Sequence, residues 1–238
     1  MPYIGRITSC FKPLGRFTCV YCSGVLVALR WFMTAGHCVR IPKSDTKNHE
    51  IKTMTITLGD LKKDDVSEDG TEIIEGDVNS VQVPVGYNKK YRNNDLALVK
   101  LTKDATLSNK IKIMNLPTTA SDTNPAVGAA VTYYGWGFYD PVNYLLSNNL
   151  KKGTALVVDS ARCNVYDTKT QFCTNSDEGQ QNCYGDAGGP IVLTSDLTTV
   201  VGIISYNTPN CPKASVNGQY RHTRVSGNLD WIKNIIAN

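Results

Sequence analysis

The chain has 238 residues, 41% of them hydrophobic and 19% charged, with a formal net charge of +4. That is ample apolar material for a folded core, which excludes a disordered chain, and no apolar run approaches the ~20 residues a membrane helix needs. Eight cysteines fall in short-range groups without zinc-type Cys/His spacing, which points to disulfides and an oxidising, extracellular compartment.

Along the chain, strand-like runs dominate. Gly24–Leu29, Thr53–Leu58, Asn79–Val85, Asp95–Leu101, Ala129–Tyr134, Thr154–Asp159, Ile191–Leu193 and Val200–Tyr206 are short, rich in β-branched or aromatic residues, and bounded by Gly, Pro, Asn or Asp. Short strands with turn signals between them predict a β-barrel or sandwich. Only the tail reads as helical: Leu229, Ile232, Ile235 and Ile236 recur at helical spacing. Ile111–Pro117 is the expected connection between two halves, 1–115 and 116–238, of one domain. Met1-Pro2-Tyr3 carries no basic-then-apolar leader, so a signal peptide is expected to be absent from this sequence or already removed. The lysine pairs Lys62-Lys63 and Lys151-Lys152 read as solvated surface. No nucleic-acid motif accompanies them, so no nucleic-acid partner is expected.

Four short motifs carry residues suited to acyl-transfer chemistry. They are Ala35-Gly36-His37-Cys38, Asn94-Asp95-Leu96-Ala97-Leu98, Gly135-Trp136-Gly137 and Gly185-Asp186-Ala187-Gly188-Gly189-Pro190. A histidine can act as base, an aspartate can orient it, and a glycine-rich turn can aim backbone N–H groups at a developing oxyanion. With Ser205-Tyr206-Asn207 and the terminal Trp231-Ile232, these motifs stand in one order over most of the chain. In that order they resemble the chymotrypsin/trypsin family of serine proteases.

The resemblance implies an all-β fold of two packed six-stranded antiparallel Greek-key barrels with a C-terminal α-helix. It implies disulfides Cys22–Cys38, Cys163–Cys173 and Cys183–Cys211, which leaves Cys10 and Cys19 to staple a local hairpin. It makes His37, Asp95 and residue 187 the triad, and the amides of Gly185 and Ala187 the oxyanion hole. It makes Asp186 the partner of an activating N-terminal ammonium. Relatives begin Ile-Val-Gly-Gly about a dozen residues before their Pro-Tyr, whereas here Pro2-Tyr3 follows Met1. Asp186 is therefore expected to be buried without its cation, in a zymogen-like or rearranged loop.

Three departures bear on activity. Residue 187 is alanine, which has no hydroxyl to attack a carbonyl, and loss of such a serine costs roughly a million-fold in turnover. His37 and Asp95 are then expected to persist as a structural hydrogen bond. The specificity pocket also differs. Gln181 stands where trypsin has its aspartate, Ser205-Tyr206-Asn207 replaces Ser-Trp-Gly, and Tyr220 falls where a glycine opens the opposite wall. These changes read either as altered specificity or as a closed cleft, and the latter is the expectation. The stretch between His37 and Asp95 is also longer than in trypsin, with an acidic segment over 60–75. Calcium there is a secondary expectation, because several relatives bind it in the corresponding loop; the spacing favours solvated charge, and no other cofactor or metal is implied.

The expected function is that of a secreted, proteolytically inactive homologue. It would act as a monomer by binding extracellular proteins, as a decoy or inhibitor in a protease cascade such as complement. This type of defect resembles that of serine protease homologues in arthropod immunity and of inactivated protease paralogues of mites related to group 3 allergens. The rival expectation is an active secreted endopeptidase whose serine was replaced by alanine for crystallisation.

Overall fold

A computed structural model describes residues 1–12, 18–40, 51–63, 65, 68–88, 92–139, 143, 145–163, 165, 167–175, 182–206 and 219–237, with Tyr206 and Gln219 described by backbone alone. Twelve strands form two antiparallel six-stranded sheets. The first contains β1 (Ile4–Phe11), β2 (Thr18–Ala28), β3 (Trp31–Thr34), β4 (Ile51–Leu58), β5 (Glu72–Glu75) and β6 (Ala97–Lys100), in the order β5-β4-β1-β2-β3-β6. Its ends approach through the bridge between Gly76 and Leu101. The second contains β7 (Ala130–Gly135), β8 (Lys151–Val158), β9 (Gln171–Asn175), β10 (Pro190–Leu193), β11 (Asp196–Tyr206) and β12 (Gln219–Arg224), closed in the order β10-β11-β12-β9-β8-β7. Among the described residues two α-helices, the single turn α1 (Gly36–Val39) and the terminal α2 (Leu229–Ile236), and short 3-10 turns at Ser160–Cys163 and Ser226–Asn228 complete the fold.

The strands follow from period-two burial. In β1 the buried positions include Ile7, Ser9 and Phe11, and in β4 they are Met54, Ile56 and Leu58. One apolar cluster runs from Ile7 and Phe32 through Met114 to Val200, Val225 and Ile232, so both sheets and α2 share a core. Between the sheets, Met114 N–H donates to Leu26 O at 2.8 Å and Asn115 N–H to Thr198 O at 3.0 Å. The connecting stretch thus touches both halves.

The expected strand Asn79–Val85 does not form. Gln82 and Leu98 exchange two backbone hydrogen bonds of 2.9 Å and the pairing stops there. Pro84 has no N–H to extend a ladder, and Val85 is 97% exposed. Strands β1, β3, β5, β9 and β12 escape the periodicity reading. β5 and β12 carry charged residues within short segments, which blur the alternation.

Cysteine pairing follows the expectation where it is described. Cys10–Cys19 joins directly opposed residues of the β1–β2 hairpin, and Cys22–Cys38 and Cys163–Cys173 are both formed. Cys183 is also disulfide-bonded. Its expected partner, Cys211, lies outside the described residues.

Candidate active site

The turn α1 carries His37 just after β3, and the segment leading into β6 carries Asp95. The Asp95 carboxylate accepts the His37 backbone N–H at 2.8 Å through Oδ1 and lies 2.7 Å from His37 Nδ1 through Oδ2. That contact makes Nδ1 the protonated nitrogen and leaves Nε2 as the available base. Asp95 is fully buried, whereas the His37 side chain keeps 16% of its surface. Burial pushes the Asp95 carboxyl upward, but His37, Arg92 and Ser205 outweigh it and hold the group below the ordinary carboxylate range.

Three residues hold this aspartate in ways the motifs did not reveal. Ser205 was expected in the specificity pocket; its hydroxyl also donates to Asp95 Oδ2 at 2.5 Å. Thr223 Oγ1 donates to the Asp95 carbonyl at 2.9 Å. Arg92 Nη1 lies 3.4 Å from Oδ2, presented by a backbone with φ of 56°. The arginine is in turn fixed by Gln171, whose Nε2 donates to Arg92 O at 2.8 Å. A hydroxyl residue close to the Asp95 motif in sequence could have been found as a candidate, but Ser205 and Thr223 are 110 and 128 positions away.

The glycine-rich loop is held between the two sheets, by Ser23 of β2 and Ile204 of β11. Ser23 N–H donates to Ala187 O at 2.8 Å, Ser23 Oγ donates to Gly185 O at 3.1 Å, and Gly188 N–H donates to Ile204 O at 2.8 Å. Gly188 has φ of 82°, and a Cβ there would run into Thr34 Oγ1 and the carbonyl of Ser23, so glycine is required. The Cys22–Cys38 disulfide ties the parts together, with Cys38 Sγ 3.9 Å from His37 Nε2 and 3.8 Å from Ala187 O. Its two sulfurs and His37 lie within 4.8 Å of one another. Disulfide sulfurs are not thiolates, so this cluster is no metal centre.

The structure therefore brings His37, Asp95, Gly185, Asp186 and Ala187 together. Ala187 is 8% exposed. Among the described residues the amides of Gly185 and Ala187 have no acceptor. Asp186 is buried, and no cation reaches it among the described residues. Its carboxylate accepts Gly137 N–H at 2.7 Å and Cys183 N–H at 2.8 Å. Side chains at Gly135 or Gly137 would collide with it, which accounts for both glycines. Burial pushes its pKa up to about 6 against the pull of the two amides.

Of the expected pocket residues, Gln181 and Asn207 lie outside the described residues, as does the side chain of Tyr206. Tyr220 is 1% exposed in β12 and packs against Cys163, whose Sγ is 3.6 Å from Tyr220 O. Next to it His222 is buried, its Nε2 2.9 Å from Thr174 Oγ1 and its pKa lowered to about 3 by burial. It stays neutral and structural. The acidic stretch 60–75 disperses its charge. Asp60 pairs with Arg6, Glu68 with Lys110, and Glu72 with Lys103. Among the described residues these carboxylates do not converge as calcium ligands would.

Residues 12–232 match the family model for trypsin. The CLIP domain-containing serine protease B4 of Anopheles gambiae is 29% identical over 238 residues, covering 94% of this chain and 64% of the relative. This chain therefore spans less than two thirds of that protein's length. Kallikrein-8 of Homo sapiens is 31% identical over 223 residues, covering 91% of this chain and 77% of the relative. The solved structure of GrC shares the fold, with a TM-score of 0.79 over 100% of this chain and 95% of that one at 24% identity. The chain thus belongs to the trypsin family of serine proteases, with alanine where the family's motif has its serine.

Proposed function

We propose that this chain is a secreted, proteolytically inactive member of its family that acts by binding, as a decoy or inhibitor in an extracellular protease cascade such as complement. The observation that carries the reading is alanine at position 187, set beside an intact His37–Asp95 pair. The base and the acid that orients it are paired, and the hydroxyl that would attack a carbonyl is missing. Water activated by His37 would give at most the residual rate left when the serine of such a triad is removed. The disulfides support an oxidising compartment.

Asp186, buried with no cation among the described residues, supports inactivity that runs deeper than one atom. The test is Ala187→Ser assayed on a broad peptide panel beside the unaltered chain, together with the unaltered chain added in excess to a reconstituted complement cascade. Both forms are expected to show no efficient turnover, and the cascade is expected to slow. Efficient cleavage by Ala187→Ser would identify a competent protease with one group replaced. A cascade unaffected at saturating chain would remove the decoy role.

A further inference from the structure

A cavity of about 810 Å³ opens on the second barrel and shares no residue with the His37–Asp95–Ala187 cluster. That volume lies within the range of small-molecule sites. Its apolar wall comes from Pro125 and Val127 of the loop before β7, Val157 of β8 and Phe172 of β9. Arg224 closes one side. Its Nε donates to Thr168 O at 3.2 Å, and its Nη1 donates to Thr123 O at 2.6 Å and Pro125 O at 3.2 Å. The guanidinium carbon sits 5.3 Å from the Phe172 ring centroid.

Three backbone carbonyls and an aromatic face thus orient a half-buried cation. No carboxylate lies within ion-pair distance of it among the described residues, and its Nη2 has no acceptor there. Burial pushes the Arg224 pKa down, with Asp122 partly opposing. The two acids of the lining are engaged by their own turns: Asp122 Oδ1 accepts Asn124 N–H at 2.9 Å and Asp159 Oδ1 accepts Ala161 N–H at 2.8 Å. Lys169 adds a second positive charge at the exposed rim. A fixed guanidinium edge favours a carboxylate over a neutral group, because it offers charge and directed N–H groups at once.

We propose that this cavity binds a small carboxylate with an aliphatic tail, its head on the free edge of Arg224 and its tail along Val127, Val157 and Phe172. The test is calorimetric titration of the whole protein with octanoate, 1-octanol, octylammonium and acetate, with Val127→Asp as the variant. Val127 is 68% exposed, so the substitution puts a negative charge at the mouth without disturbing the core. Octanoate should bind saturably, at least tenfold tighter than the other three probes. Val127→Asp should weaken octanoate at least tenfold with an unchanged melting temperature. Equal affinity for octanol and octanoate, no saturation, or indifference to Val127→Asp would each overturn the proposal.

Discussion

The substitution Asp186→Asn removes a buried acid whose folded form prefers to hold its proton. In the fold its pKa is about 6, against 3.8 for an exposed aspartate. Each pKa unit is worth about 1.4 kcal/mol, so the whole shift amounts to about 3 kcal/mol. The sign follows from proton counting. Between about pH 4 and pH 6 the folded chain keeps a proton that the unfolded chain has released, so stability falls as pH rises through that window. Above it, the folded protein carries a buried carboxylate with two amide partners and no described cation. The amide introduced by Asp186→Asn does not titrate. Its NH2 group would also face an N–H of Gly137 or Cys183, donor against donor, costing about 1–2 kcal/mol at every pH. The variant should therefore be the less stable protein near pH 4, and the gap should close or reverse by pH 7. Urea unfolding of both proteins across this range measures the difference directly, and the other titrating groups cancel in it. A difference that stays flat with pH would refute the reasoning. One that grows in favour of the natural chain as pH rises would show a cationic partner at Asp186.

Other perturbations test the site's scaffold. Ser205→Ala deletes a hydroxyl donating to a buried carboxylate and should cost about 2 kcal/mol in urea unfolding; no loss would mean that His37 and Arg92 suffice. Gly188→Ala puts a methyl into backbone at a left-handed position and should cost about 3 kcal/mol or more, read as a lower melting temperature. The double change Cys10→Ser with Cys19→Ser opens a loop of nine-residue separation and should cost about 3 kcal/mol. A loss below about 0.5 kcal/mol there would show that the β1–β2 ladder alone fixes the hairpin.

The family resemblance carried by short motifs in order was enough to anticipate two six-stranded sheets and the places of His37, Asp95 and the Gly185–Pro190 loop, because each motif is local. The same holds for Cys10 and Cys19, which stand opposite each other in one hairpin. What escaped reading is non-local. Ser205, Thr223 and Arg92 meet at Asp95 from separate segments, and nothing in a serine, a threonine or an arginine announces that convergence. The run Asn79–Val85 misled for the opposite reason. Its alternation was genuine, but Pro84 broke the ladder that alternation alone would have extended. Charged strands such as β5 and β12 conceal their pairing because charged residues stand among their buried ones, Ile74 in β5 and Tyr220, His222 and Thr223 in β12, and break up the apolar alternation.

Asp95 comes from the first barrel, yet a serine and a threonine of the second grip it. This carboxylate works as a clasp between the two halves, whatever happens at the cleft. Loss of a hydroxyl at position 187 leaves that clasp untouched, whereas loss of the carboxylate would strand Ser205 and Arg92 at a buried seam. The acid thus ties the fold together as well as orienting His37.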